Sequence, residues 1–208
     1  MSDRPIIFSA PMVRALLDDR KTQTRRLATS PLAKCSPGDR LWVREGWHAE
    51  SWYDRHSADQ LPDVIAKYRY PKIWHQAGYK SPLGIVHFCG LDFDAQWSKG
   101  KGRPSIHMPR WASRLTLIVE AVKVEPLQDI SEADAKAEGI VWSDGCGGWT
   151  ANPEPNDCRF FHGSDPRRAF EALWCGIHGE DAWASNLHVV AITFRVEHAN
   201  IDSLARAA

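Results

Sequence analysis

The residues best suited to do chemistry in this chain form a short cationic run, Arg20-Lys21-Thr22-Gln23-Thr24-Arg25-Arg26. Like charges this close repel each other, so we expect the run to lie in solvent or against an anionic ligand. The same crowding is expected to lower the pKa of Lys21, which would allow it to act as a base. Thr24 offers a hydroxyl nucleophile three residues further on. The run therefore predicts a site for an anionic or nucleotide-like ligand.

The elements around the run are predicted from periodicity and capping. Residues 5–8 have the character of a short strand, and Ser9 is a suitable N-cap for an amphipathic helix over residues 10–20. Residues 21–36 are polar and are predicted to form a loop. The alternation of residues 40–44 is typical of a half-buried strand. The run is thus expected to lie in a loop between a helix and a strand.

A strand further along the chain is predicted to bend. Leu115, Leu117, Val119 and Ala121 alternate, after which Val122 and Val124 take over the apolar phase. Such a switch indicates a bulge or a bend, which suits a small barrel.

A short helix after this strand places one carboxylate. Ser131 and Asp134 have the spacing of a capping box, and Gly139 is a C-terminal stop signal. Glu138 is therefore expected at the end of the helix.

Two segments, residues 48–83 and 140–163, have no sustained period and are predicted to be loop insertions. Residues 97–114 form a second basic element, with five cationic side chains and no acid. A helix capped at Ser164 and a core strand over residues 187–196 complete the predicted order.

Composition limits the partners of the chain. The 26 basic and 26 acidic residues give a formal net charge of zero, so any contact with nucleic acid must be local. The chain has neither a long apolar run nor a signal-peptide pattern. We therefore predict a cytoplasmic protein without a membrane segment, and the oligomeric state stays open.

The five cysteines are spaced irregularly, which favours reduced thiols over a disulfide framework. Cys146, Cys158, His162 and Cys175 are the residues that would gather around zinc, although their spacing is not typical of a zinc site. We predict neither a metal nor a cofactor, and leave a metal at these four residues as an open alternative.

Taken in order, the Lys-Thr-x-Thr-Arg segment, the strand motif Gly38-Asp39-Arg40-Leu41-Trp42-Val43 and the acidic helix from Ile130 to Glu138 resemble the ASCH family of PUA-like barrels. The resemblance implies an α+β fold. It further implies a single domain over residues 1–208, built on a small PUA-like β-barrel with flanking helices and the two loop insertions.

The wider segments 4–26, 38–47 and 103–114 look like the large ASCH-type proteins of bacteriophages and prophages. Small bacterial members of the family are N4-acetylcytidine amidohydrolases with a comparable Lys-Thr-x-Thr motif. The resemblance thus implies a hydrolase that acts on N4-acylated cytidine or on a related modified nucleoside or RNA.

The implied catalytic residues are Lys21, Thr24 and Glu138. Thr24 would attack the acyl carbon, Lys21 would remove its proton, and Glu138 would protonate the leaving amine. If Glu138 lies elsewhere, Glu45 is the next carboxylate to consider. The candidate substrate-binding residues are Arg25, Arg26, His107, Arg110 and Trp111.

Other functions stay open. A non-catalytic module that binds RNA or modified nucleic acid would use the two basic elements to flank one open groove. An ASCH-type ribonuclease would use Lys21 and Thr24 to assist attack by a 2′-hydroxyl, with His107 as an acid or base. An accessory protein of a phage particle or of host takeover is a further alternative.

Overall fold

The computed structural model describes residues 1–51, 54–57, 60–61, 74–75, 99–153 and 162–205. In these residues the chain is α+β, as predicted. The strands are β1 (Asp3–Ile7), β2 (Gln23–Leu27), β3 (Arg40–Arg44), β4 (Trp47–Glu50), β5 (Trp74–His75), β6 (Lys99–Arg103), β7 (Thr116–Pro126), β8 (Val141–Ser143), β9 (Gly148–Thr150) and β10 (His188–Glu197). The α-helices are α1 (Ala10–Leu17), α2 (Glu132–Ala137), α3 (Pro166–His178), α4 (Glu180–Ala184) and α5 (Ile201–Ala205).

The strands form three sheets in the described part of the chain. A five-stranded sheet has the order β1-β3-β7-β10-β2, a three-stranded sheet has the order β5-β4-β6, and β8 pairs with β9. Strand β2 runs antiparallel to β10, with Thr24 opposite Ile192. The cationic run is therefore attached to one edge of the largest sheet.

The prediction of a loop over residues 21–36 is wrong for β2. Gln23 and Arg25 lie on one face of this strand, and Thr24 and Arg26 lie on the other, because side chains alternate along a strand. Hydrogen bonds within each pair follow this alternation: Arg25 donates to the Gln23 amide oxygen, and Arg26 donates to the Thr24 hydroxyl. A strand made of polar residues has no apolar period, so sequence patterning does not detect it.

Contacts group the chain into two compact units. The first unit contains residues 1–4, 15–41 and 117–197, and the second contains residues 5–14, 42–116 and 198–208. The core of the first unit includes apolar side chains of β7 and β10, such as those of Leu117, Val119, Val190, Ile192 and Phe194. The core of the second includes a cluster of Trp47, Ala49, Leu61, Met108 and Ala112.

Strand β3 agrees with the prediction, since Leu41 and Val43 are buried and their neighbours are half-buried. The predicted change of phase in β7 is wrong. Val124 is 58% exposed, whereas Glu125 is 5% exposed. The alternation holds at residues 117 and 119, residues 120–124 are exposed or half-buried, and the strand turns inward again only at residue 125, which is a carboxylate.

Helix α2 begins and ends as predicted. The Ser131 hydroxyl accepts from the Asp134 backbone, and the Asp134 carboxylate accepts in return from Ser131, which completes the capping box. Glu138 is the C-cap, and Gly139 adopts φ +98°. The Thr22 N–H donates to the Ala137 carbonyl at 2.8 Å, so the end of α2 docks onto the start of β2.

The predicted insertion at 140–163 contains a β-hairpin, in which Trp142 lies opposite Trp149. Helix α3 is capped by Asp165, one residue later than predicted. The sequence also predicts a short strand over residues 84–88. That segment, residues 154–161 and most of the insertion at 48–83 lie outside the described residues.

We predict that Gly139→Ala destabilises the chain more than Gly38→Ala. Both glycines have a positive φ, so either alanine costs about 1–2 kcal/mol in backbone strain. A Cβ at Gly139 would also lie 3.1 Å from the Ala15 Cβ, whereas a Cβ at Gly38 meets nothing within 4 Å. We therefore expect Gly139→Ala to lower the free energy of unfolding by about 1 kcal/mol more, measured by urea titration. Equal decreases in the free energy of unfolding for the two variants would show that the structure around Gly139 can accommodate a Cβ.

Candidate active site

The chain reaches the site through a tight reversal after α1. Asp19 adopts φ 54°, a left-handed conformation that aspartate tolerates. The N–H groups of Arg20 and Lys21 then both donate to the Ala15 carbonyl, at 2.9 and 3.1 Å. This turn delivers Lys21 to the end of α2 immediately before β2 begins.

Lys21 and Glu138 form a buried pair. The Lys21 ammonium donates to the Glu138 Oε2 and to the Glu138 backbone carbonyl, each at 2.7 Å. The side chains of the pair are only 2% and 4% exposed. The predicted proximity of Glu138 to the lysine is thus present in the structure, although the two residues are 117 positions apart.

The pKa of Lys21 is lowered from its ordinary value of 10.5, as predicted, but for a different main reason. Burial is the largest cause, because it disfavours the charged ammonium. Glu138 opposes the shift, and the nearby Arg26 and Arg25 add to it. The neighbouring cations, from which the lowered pKa was predicted, therefore contribute less to it than burial does.

Arg25 is fully buried and contacts three carboxylates. Its guanidinium lies 2.7 Å from a Glu125 oxygen, 3.3 Å from an Asp134 oxygen and 3.3 Å from the Glu138 Oε1. Gln23 completes the cluster, since its side-chain amide donates to Asp134 at 3.1 Å. Arg25 was predicted to contact substrate, whereas these donors contact the protein's own acids.

Thr24 is 1% exposed, and its hydroxyl accepts a hydrogen bond of 2.8 Å from Arg26. This bond occupies a lone pair of the Thr24 oxygen. Arg26 is half-buried, and burial lowers its pKa while Glu138 opposes that shift. Burial and Arg26 also lower the pKa of His178 at the end of α3.

The buried charges of this cluster are equal in number, because three cations, Lys21, Arg25 and Arg26, lie with three carboxylates, Glu125, Asp134 and Glu138. Lys123 is a further cation, 71% exposed, which approaches the second Glu125 oxygen at 2.6 Å from the surface. The expectation that the run lies in solvent or against an anionic ligand is therefore wrong for Lys21 and Arg25. Buried charges need partners, and here the partners come from β7 and α2.

Sequence reasoning did not find Glu125 and saw Asp134 only as a capping residue. Glu125 lies an even number of residues from Leu117 and Val119, but Ala121 and Lys123 between them are exposed, so alternation along β7 does not predict its burial. A buried carboxylate requires a buried cation, and here that cation is Arg25.

The remaining candidates lie in the second unit. His107 is exposed at the end of a short 3₁₀ helix, Ser105–His107. Arg110 pairs with Asp202 at 2.7 Å, and the Trp111 ring packs edge-on against Trp47 with centroids 6.1 Å apart. Glu45 is buried and accepts two hydrogen bonds from Arg114, at 2.8 and 3.0 Å.

The cysteines depart in part from the prediction. Cys146 is disulfide-bonded, whereas reduced thiols were expected. Cys35 and Cys175 are free, and burial raises the pKa of both thiols. Within the described ranges, no three His, Cys, Asp or Glu side chains are arranged to hold a metal ion. No helix among the described residues is long and apolar enough to cross a membrane.

Comparisons of the chain with protein-family models, with curated proteins and with solved structures find no match.

We predict that Arg25→Met lowers the free energy of unfolding by about 3–5 kcal/mol, because it leaves buried carboxylates without their cation. Arg195→Met is the matched control, since Arg195 is 52% exposed and pairs with Glu197 on the surface. The control should cost at most about 1 kcal/mol. Urea unfolding followed by circular dichroism measures both values. Similar losses for the two variants would contradict a stabilising role for the buried cluster.

We predict that Lys21 makes stability rise with pH. Its folded-state pKa is below 10.5, so between that pKa and 10.5 the unfolded chain binds more protons at this site. The free energy of unfolding of the wild type, minus that of Lys21→Met, should therefore increase across this window. Urea titrations from pH 7 to about 10 test it, with the exposed Lys34→Met as control. A flat or falling difference would refute the lowered pKa.

Proposed function

We propose that the chain is a hydrolase that removes an acyl group from the N4 atom of acylated cytidine or of a related modified nucleoside. The single observation that carries this proposal is the Lys21–Glu138 pair, joined at 2.7 Å and almost completely buried. The proposal includes a PUA-like fold of the ASCH type. The α+β architecture and the position of the Lys-Thr-x-Thr segment beside the short acidic helix support that part.

The buried pair can supply a base and an acid together. Transfer of one proton from the Lys21 ammonium to the Glu138 carboxylate produces a neutral amine and a neutral carboxylic acid. The transfer changes no net charge, and burial favours the neutral form of Lys21. A single proton movement over a 2.7 Å hydrogen bond thus prepares both groups for catalysis.

In the acylation step the Thr24 oxygen bonds to the acyl carbon, and its proton passes to the neutral Lys21 amine. The bond between the acyl carbon and N4 breaks as Glu138 gives its proton to the leaving nitrogen. This step restores the charged Lys21 and Glu138. Arg26, which already donates to the Thr24 oxygen, would also stabilise the developing oxyanion.

In the second step, water attacks the acyl ester on Thr24. Glu138 takes a proton from the water, and Lys21 returns a proton to the Thr24 oxygen as the ester bond breaks. Proton transfer from Glu138 to Lys21 then regenerates the starting pair. The net reaction consumes one water and yields a carboxylic acid and the free amine of the base.

Arg25 is a positioning residue in this proposal. Its guanidinium contacts the Glu138 Oε1 at 3.3 Å, while the Oε2 accepts from Lys21. Glu125 and Asp134 hold Arg25 in turn. The carboxylate plane of Glu138 is therefore restrained from both sides, as catalysis by a fixed acid requires.

The burial of Lys21 also argues against a phosphate clamp, that is, a lysine that binds a phosphate group through its positive charge. A clamp acts through a charged group that reaches the ligand, and it gains nothing from a lowered pKa. Here the ammonium is 2% exposed and already occupied by Glu138. A proton-transfer role uses both properties.

The test is deacylation of N4-acetylcytidine, free and within a short RNA, followed by mass spectrometry. We expect Lys21→Arg and Glu138→Gln to lower kcat/KM by about 10²-fold or more, since neither variant can exchange the proton. Thr24→Val should abolish the acyl-enzyme intermediate. Lys34→Arg makes the same chemical change as Lys21→Arg at an exposed position and should keep full activity.

Full activity of Lys21→Arg would exclude Lys21 as the base. A wild-type protein that leaves every N4-acylated cytidine intact would overturn the proposed function. Cleavage of the RNA without deacylation would favour the ribonuclease alternative.

A further inference from the structure

The second unit contains a cleft of about 570 Å³ with a cationic lining. Its basic side chains are Arg44, Lys101, Arg103 and His107. Pro104 and Met108 also line the cleft. We propose that this cleft binds the phosphates of a single-stranded nucleic acid. The proposal does not depend on the hydrolysis described above.

The geometry of β6 directs two of the cations into the cleft. Lys101 and Arg103 are two residues apart on this strand, so their side chains leave the same face. The Lys101 backbone N–H donates to the Asp54 carboxylate at 3.0 Å, and the Lys101 ammonium donates to the Asp54 carbonyl at 2.6 Å. These hydrogen bonds attach β6 to Asp54 and hold Lys101 in position.

The two arginines are held against indole rings. The Arg103 guanidinium lies 5.3 Å from the centroid of Trp47 and donates to the His56 carbonyl at 3.0 Å. The Arg44 guanidinium lies 5.3 Å from the centroid of Trp42 and donates to the Ile106 carbonyl. Held in this way, the arginines lose less side-chain entropy when an anion arrives.

The charge of the cleft is one-sided. The lining residues that the structure describes include four basic side chains and no acid. The Arg44 Nε is buried and has no acceptor among the described residues. A polyanion that binds such a cluster of cations would release counterions.

The size and floor of the cleft favour a strand over a small anion. A volume of about 570 Å³ is in the range of sites for drug-sized ligands and far exceeds that of one phosphate group. Pro104 and Pro109 give apolar surface beside the cations, against which a sugar or a base can pack. Alternation of charge contacts with apolar contacts is the pattern used for single strands.

The experiment measures fluorescence anisotropy of a labelled ten-nucleotide oligouridine with the full chain, without turnover. We expect Lys101→Gln and Arg44→Gln each to weaken binding at least about threefold and to reduce the salt slope by about one. Lys34→Gln removes the same charge from an exposed position elsewhere and should bind like the wild type. Thermal unfolding of each variant confirms that it is folded, and the exposed Lys101 keeps the test valid if Arg44→Gln unfolds.

Wild-type affinity in folded Lys101→Gln and Arg44→Gln would overturn the proposal. Binding of inorganic phosphate at millimolar concentration, measured by calorimetry, with no binding of the oligouridine, would show a small-anion site and overturn it too. Equal binding of heparin would reduce the cleft to a general polyanion surface and contradict the assignment. Since the oligouridine carries no acyl group, none of these outcomes bears on deacylation.

Discussion

The structure of the first unit depends on the requirement that its buried charges neutralise each other. Lys21, Arg25, Glu125 and Glu138 are each at most 5% exposed, and breaking one such pair costs several kcal/mol. Their backbones belong to β2, β7 and the end of α2. A slip of one residue in β2 would replace Gln23 and Arg25 by Thr24 and Arg26 on the charged face. The charges therefore fix the register of an edge strand that has no apolar pattern.

The same burial links stability to chemistry. A surface lysine would stay protonated and a surface glutamate would stay ionised, and neither would exchange a proton with the other at neutral pH. In the buried pair the neutral and charged forms of Lys21 lie closer in free energy, because burial lowers the pKa of its ammonium. Removing either partner would leave the other charge buried and unpaired, so the chemistry and the stability of the pair cannot be changed separately.

The elements that sequence patterning predicted well are those with local signals. The alternation of β3 and the capping box of α2 each involve only a few neighbouring residues. The capping box correctly places Glu138 at the end of α2. Strand β2 and the burial of Glu125 could not be predicted in this way, because each depends on a partner about 100 residues away. The disulfide at Cys146 was missed because the irregular spacing of the cysteines favoured reduced thiols.

The Lys21 ammonium donates two hydrogen bonds to Glu138, one to its carboxylate and one to its backbone carbonyl. During synthesis Lys21 leaves the ribosome 117 residues before Glu138, so its charge must stay hydrated until α2 has formed and docked. A contact of such long range forms late in folding, since the loop between its ends must be closed first. Nascent chains that stop before Glu138, or fragments cut before it, would carry the lysine without its acid.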